Sequence, residues 1–302
     1  MIRSTFKLLS HQKQFSKNYN KTKFCRFLST KNLTPSSFES VNVVEKANGV
    51  SIVTLQRPEL HNAFNASIIQ EIKTSFDLVS KNENIKCVVL TADGKTFSAG
   101  ADLTWMKNIA KFSEAENKAD SEELYEMFSS IRHCPAPVIG RINGSGLGGG
   151  AGLVSCCDIV YSVEKAKFGF TEVKLGLIPA VISPFVIEKI GVTNASRYFL
   201  TGERFTAKIG KEIGLVNETF DSMIELDEAV ANAVAEILTC SPAAVRAAKK
   251  LITNVASKQF FSSETKDYVT DAIASIRVSE EGQEGLSAFL NKRKPSWLDG
   301  KK

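Results

Sequence analysis

Residues 142–158 read INGSGLGGGAGLVSCCD. Five glycines fall between Gly144 and Gly150, and Gly152 follows them. The apolar run Ala136-Pro137-Val138-Ile139 ahead of the glycines has a strand pattern, and the small apolar segment 151–157 behind them reads as a buried helix. A strand feeding a glycine-rich turn and then a helix aims free backbone N–H groups at whatever lies above the helix start, and the helix dipole adds partial positive charge. Such a turn suits an anion, or an oxygen that becomes anionic during a reaction. The same glycines can also serve only the close packing of backbone on backbone. The spacing is not G-x-x-x-x-G-K-[ST], which excludes a P-loop. Gly144 to Gly149 does contain G-x-G-x-x-G, but a dinucleotide site also needs an acidic residue at the end of the next strand. The next strand pattern, 158–163, has Asp158 at its start and Glu164 just beyond it, so a dinucleotide fold is a minor alternative.

A second loop, 92–102, reads ADGKTFSAGAD and follows the apolar run Cys87-Val88-Val89-Leu90. It again has the order strand, glycine-containing loop and helix start, with Asp102 as a favourable N-cap. Two such loops can each supply one N–H to a single oxygen.

Taken with three further stretches, the two loops resemble the enoyl-CoA hydratase/isomerase (crotonase) superfamily. The matching segments are 57–65 (RPELHNAFN), 97–103 (FSAGADL), 143–158, 168–179 (FGFTEVKLGLIP) and 284–294 (EGLSAFLNKRK), so the resemblance spans about 38–294. It implies an α/β fold, a spiral of repeated ββα units followed by a C-terminal helical region that covers the site and makes trimer contacts. The residues alone give strand patterns at 41–45, 50–55, 87–90, 136–142 and 158–163, and helical patterns at 66–81 and 114–131. Past Pro184 the chain turns mainly helical, with patterns at 228–238, 243–255, 266–278 and 284–291. One unit is expected over 38–302, its spiral core running to about 200 and its helical part from about 201.

Composition is that of an ordinary globular protein, 43% apolar and 24% charged. No apolar run approaches the roughly 18–20 residues that a membrane helix needs. The six cysteines form no C-x-x-C and the three histidines have no ligand spacing, so neither a disulfide nor a metal site is expected. The net charge of +5 belongs to the N-terminus: residues 1–38 hold eight basic side chains and no acidic one, and subtracting these eight leaves −3 for the rest. A basic tail rich in Ser, Thr and Asn, with Phe and Leu interspersed, has the composition of a mitochondrial transit peptide. Residues 1–37 are read as that leader or a disordered tail, with Arg26-Phe27-Leu28-Ser29 resembling a matrix-protease cut after Leu28. The expected location is the mitochondrial matrix; the competing reading is a basic nucleic-acid arm.

By resemblance, the backbone N–H groups of Ala101 and Gly149 form an oxyanion hole for the thioester carbonyl of an acyl-CoA. Ala99, Gly100, Asp102, Leu103 and Gly148 border the substrate, and a carbonyl near Ala99 reads the adenine amine. Lys292 and Lys294 become candidate contacts to the CoA phosphates, supplied from a neighbouring subunit, with solvated helix charge as the plainer reading. The acid–base carboxylate is Glu172, set between apolar flanks that can raise its pKa toward working pH. CoA enters as part of the substrate, and no cofactor is implied. The expected assembly is a homotrimer or homohexamer.

One departure bears on the reaction. Two-glutamate hydratases of this superfamily carry a second Glu two residues after the Gly-Gly-Gly run, and this chain has Gly152 there. The loss favours isomerisation. The sequences 97–106 and 171–184, however, are similar to a bacterial-type branch of methylglutaconyl-CoA hydratases that also has glycine at this place. The leading expectation is therefore hydration of 3-methylglutaconyl-CoA to 3-hydroxy-3-methylglutaryl-CoA in leucine catabolism, with the substrate's distal carboxylate in space opened by Gly152. Enoyl-CoA isomerisation or short-chain hydration in β-oxidation is the alternative. A non-catalytic RNA-binding module on this fold is a third reading; helix 66–81 offers only Lys73 and Lys81 for phosphates, so nucleic acid is not an expected partner.

Overall fold

The computed structural model describes residues 30–298. The leader up to residue 29, with its cut after Leu28, lies outside the described residues. The first strand, β1 (Thr30–Asn32), pairs antiparallel with β2 (Val41–Lys46), and β2 turns through Asn48-Gly49 into β3 (Val50–Leu55). Strand structure thus begins ahead of residue 38. The β1 segment is three exposed residues whose strand form comes from pairing with β2, which no local pattern announces.

Helix α1 (Ala66–Lys81) starts on Asn65, whose side chain accepts from the Ile68 N–H. It buries Ile68, Ile69, Ile72, Phe76 and Val79 at helical spacing. Strand β4 (Cys87–Ala92) follows, buried along its length and parallel to β3. Past loop 93–102 come α2 (Leu103–Ile109) and α3 (Glu114–Arg132), the latter opened by a capping box between Ser113 and Glu116. Strand β5 (Val138–Ile142) lies parallel to β4. The glycine stretch then forms a two-residue strand, β6 (Gly146–Leu147), and a buried helix, α4 (Gly149–Cys156).

Strands β7 (Ile159–Val163) and β8 (Lys167–Gly169), helix α5 (Ser183–Thr201), β9 (Arg204–Thr206), α6 (Ala207–Glu212) and β10 (Glu218–Phe220) complete the core with α7 (Met223–Thr239). The main sheet runs β1-β2-β3-β4-β5-β7-β10, and a small second sheet runs β6-β8-β9. The observed order repeats a ββα unit, as expected. Two strands, β9 and β10, fall beyond residue 201, and α7 packs on β5, β7 and β10, burying Leu226, Val230 and Val234. The core therefore extends to about residue 239, past the expected boundary, because three-residue strands carry no readable periodicity. The purely helical part comprises α8 (Pro242–Ala256), α9 (Ser263–Val278) and α10 (Glu280–Leu290), which pack on one another. No helix among the described residues is long and apolar enough to cross a membrane.

Cys87, Cys134, Cys156 and Cys157 are free and buried. Burial pushes the Cys87 and Cys157 thiols up to about 12, so they act as small apolar side chains.

Because β4 and β5 are parallel neighbours, their carboxyl ends emerge side by side, and loops 93–102 and 143–148 leave the sheet at one edge. The two loops touch largely through backbone, with the Asn143 side chain also donating to the Gly94 carbonyl (2.8 Å). A Cβ at Gly144 would overlap the Lys95 carbonyl oxygen, and one at Gly150 would overlap the carbonyl oxygen of Ser98. We expect Gly150→Ala to destabilise the fold by about 1–3 kcal/mol through this overlap, measured by urea unfolding.

Candidate active site

Strand pairing brings three segments together. Ser98 forms a parallel bridge with Gly146, and β6 pairs with β8, so residues 98, 146 and 168 stand side by side. The Phe97 and Ser98 N–H groups donate to the Ser145 carbonyl (3.1 and 3.2 Å), and the Leu147 N–H donates to Ser98 O (3.0 Å). The Gly148 N–H donates to Gly169 O (2.8 Å).

The first loop is also paired on its other side. The Phe64 N–H donates to Gly100 O (2.6 Å) and the Asp102 N–H to Phe64 O (2.8 Å). In this parallel bridge residue 101 bonds through neither of its own groups, which leaves the Ala101 N–H pointing away from Phe64. Gly149 is the first residue of α4, where an N–H has no intrahelical acceptor. Neither amide has a hydrogen-bond acceptor among the described residues. Gly100 takes a left-handed φ of 86°, and a Cβ placed on it would sit 2.7 Å from Leu147 O and 3.5 Å from the Gly149 nitrogen. The turn before Ala101 therefore lies directly against the turn that carries Gly149.

Glu172 opens a 3-10 turn, Glu172–Leu175, that leaves β8 through the fully buried Phe168 and Phe170. Phe170 is held edge-on against Phe199, ring centres 5.2 Å apart. The carboxylate faces the glycine turn: a Cβ on Gly148, which has φ 50°, would lie 3.2 Å from Glu172 Oε1. Glu172 Oε2 is buried and has no hydrogen-bond partner. Burial pushes this carboxyl above the ordinary Glu range, and its own backbone N–H pulls it back by less. A half-buried acid with one buried, unpartnered oxygen is poised to exchange a proton with any group that comes within hydrogen-bond reach.

The other predicted residues divide. Asp102 caps α2, accepting from the N–H groups of Thr104 (2.7 Å) and Trp105 (3.2 Å), and lies 3.6 Å from the Arg57 guanidinium. Ala99 is exposed with its N–H donated to His61 O, and Leu103 is 77% exposed beside the Ala101 turn. Lys292 and Lys294 are exposed on the turn after α10. The segment after α10 is bonded to α10 through Arg293 and Glu284, and to the end of α7 through Trp297 and Thr239 O. Within one chain these bonds tie the segment of the two lysines to α10 and α7 and not to the two loops.

The space expected beside Gly152 is filled. Gly152 is buried, and a Cβ there would meet Ile182 Cγ2 at 2.5 Å and the Phe128 ring at 3.0 Å. The missing acid leaves an apolar wall in place of a pocket, so a substrate carboxylate has no room there. Sequence reasoning placed the glycine correctly but had no signal for the residues packed on it, one from α3 and one from the turn before α5. It also assigned no role to Asn62, Phe64 or Ser98, whose long-range bonds are invisible in a linear pattern.

Two free amides and a half-buried carboxyl with one unpartnered oxygen around one turn suit chemistry in which an acyl oxygen gains charge while a proton moves nearby. The sequence matches the family described as "Enoyl-CoA hydratase/isomerase" over residues 45–300, and the chain belongs to that family. It is 30% identical over 259 residues to the 2,3-dehydroadipyl-CoA hydratase of Escherichia coli (84% of this chain, 97% of the relative). It is also 30% identical over 275 residues to the peroxisomal Delta(3,5)-Delta(2,4)-dienoyl-CoA isomerase of Arabidopsis thaliana (87% and 98%). The crystal structure of an enoyl-CoA hydratase from Shewanella pealeana superposes with a TM-score of 0.83 at 39% identity, covering 86% of this chain and 97% of that one. The fold is the crotonase fold.

The unpaired acid has a thermodynamic consequence. Below the ordinary Glu value of 4.5 the carboxyl is neutral in both states. As pH rises through that value the unfolded chain ionises first, so native stability falls until the folded pKa is passed. Glu172→Gln should match the wild type in thermal midpoint at about pH 4 and exceed it at about pH 8. A midpoint lower than wild type at the higher pH would show that the carboxylate is paired in the native state.

Proposed function

We propose that this protein hydrates a short branched enoyl-CoA, with 3-methylglutaconyl-CoA as the substrate. One observation carries the reading: the unpartnered amides of Ala101 and Gly149 stand on touching turns, with the Glu172 carboxyl, one oxygen of it unpartnered, beside them. The thioester oxygen receives the two N–H groups, which bind the enolate-like state more strongly than the ground state. Glu172 takes a proton from water as the water oxygen bonds to the β-carbon, and a proton is then delivered to the α-carbon. One carboxyl serves both transfers, since Gly152 supplies no second acid. The branched, carboxylated substrate rests on the similarity of 97–106 and 171–184 to methylglutaconyl-CoA hydratases. A relative that acts on 2,3-dehydroadipyl-CoA, whose acyl group also ends in a carboxyl, supports it. The distal carboxylate must lie elsewhere than at Gly152, which Ile182 and Phe128 close off.

A second reading keeps the same groups. A single acid that removes an α-proton and returns it to the γ-carbon moves the double bond, and the apolar wall at Gly152 favours such a water-poor site. The isomerase among the relatives also moves double bonds, in its case the two of a conjugated diene.

Assembly and location extend the proposal. Leu175, Leu177 and Ile178, just after Glu172, are more than half exposed, which supports cover from further copies in a trimer or hexamer. The acid-free basic N-terminus supports import into the mitochondrial matrix.

Turnover of 3-methylglutaconyl-CoA, crotonyl-CoA and a 3-enoyl-CoA, with product identification by mass, tests the reading. We expect a gain of one water on the first substrate at higher kcat/KM than on the second; a moved double bond without mass change would establish the isomerase. Ala101→Pro removes one donor while adding little volume, and kcat should fall by about 10²–10³ with the fold retained by circular dichroism.

A further inference from the structure

We propose that Ser98 is a positioning residue for this reaction: its hydroxyl and its main chain together set where the Ala101 and Gly149 amides stand relative to each other. The inference rests on the reading of those amides as the oxyanion donors.

Ser98 is fully buried and lies where three loops meet. Its hydroxyl donates to the carbonyl of Asn62 (2.9 Å) and accepts from the Gly100 N–H (3.3 Å). Its own N–H and carbonyl bond to Ser145 and Leu147 of the second loop. One residue thus grips the Ala99–Gly100 peptide, one peptide before that of the Ala101 N–H, and the strand two residues before Gly149. The left-handed turn at Gly100 separates Ser98 from Ala101, and a glycine there resists rotation poorly. The hydroxyl bond to the Gly100 N–H ties that turn from inside. No apolar side chain of similar size can both donate to Asn62 and accept from Gly100.

Asn62 anchors the other end. It is buried with a left-handed φ of 52°, follows His61 at φ 53°, and is bonded to four residues, Arg57 and, on loop 93–102, Asp93, Thr96 and Ser98. Its side chain accepts from the Arg57 N–H (2.8 Å) and donates to the carbonyls of Asp93 and Thr96 (both 2.9 Å). The carbonyl that Ser98 reads is therefore itself fixed against the start of the same loop. The arrangement is over-determined, as the persistence of two successive left-handed non-glycine residues requires. Ser98 touches no reacting atom; it acts through the amides.

The test uses the full chain and an aryl-acryloyl-CoA thioester, whose absorbance shifts to the red when its carbonyl is polarised by two hydrogen bonds. In Ser98→Ala we expect the red shift to shrink and kcat to fall about 10–100-fold, as for a misplacement of about 1 Å, while KM stays within about threefold. Ser75→Ala is the matched control, an equally buried hydroxyl that donates to Glu71 O (2.6 Å) on α1; it should change neither kcat nor the shift. If Ser98→Ala does not fold, Asn62→Gly keeps the left-handed φ, removes the side-chain bonds and should show the same two losses. A wild-type red shift with an unchanged shift and kcat in a folded Ser98→Ala or Asn62→Gly protein overturns the proposal. Loss of affinity at unchanged kcat and shift overturns it too, by assigning Ser98 to substrate binding. No red shift in the wild type overturns the oxyanion reading on which it rests.

Discussion

Two stretches of backbone packed closely against each other, carbonyl against glycine, are the constraint on which the rest of this structure depends. Parallel pairing of β4 with β5 delivers loops 93–102 and 143–150 to one edge of the sheet. Glycine at 144 and 150 then allows carbonyl groups of the first loop to occupy the places where Cβ atoms would be. That contact has two consequences. It lets Ser98 bridge to Gly146, and through β6 it lets β8 join, which carries Glu172 to the same turn. It also leaves the Ala101 and Gly149 amides without acceptors, since the bonding capacity of their neighbours is already used in holding the loops together. Close packing and anion binding, which look like rival explanations of a glycine-rich stretch, are here one arrangement: the first makes the second possible.

The acid is held by the opposite principle. The amides are free because surrounding bonds are complete; the Glu172 carboxyl is open to proton exchange because its surroundings offer it too few bonds. Apolar anchors at Phe168 and Phe170 fix the chain on one side of it, and the glycine at 148 leaves room for it on the other. One turn further along α4, Ile182 and Phe128 close against Gly152. The family contains hydratases and isomerases, and a turn with a single acid and an apolar wall is chemically compatible with both. What separates the two reactions on this scaffold is whether water reaches the β-carbon.

The parts of the fold legible in the sequence are those whose signal is local. Helix 66–81 is found at its observed bounds because its apolar residues recur at helical spacing behind an Asn cap. The buried strands 50–55 and 87–92 show as β-branched runs, although the second runs two residues further than its apolar core. Helix α4 begins two residues before the expected 151, since glycines do not advertise a helix that is stabilised by complete burial. Strands β6, β8, β9 and β10 were not legible, being two or three residues long and defined by their partners. The two loops and Glu172 were picked out by motif, whereas Ser98 and Asn62 look in sequence like ordinary turn residues.

By itself the sequence determined the family, the alternation of strands and helices, the two glycine-bearing loops, and the presence of one acid where related enzymes have two. These are properties of residue type and spacing, which a chain carries whether or not it is folded. Only the tertiary structure decided that the loops touch, which amides stay unpaired, that one Glu172 oxygen is buried without a partner, and that the gap at Gly152 is filled. Each of these depends on residues from distant segments competing for the same volume or the same hydrogen bond, and that competition exists only once the chain has closed on itself.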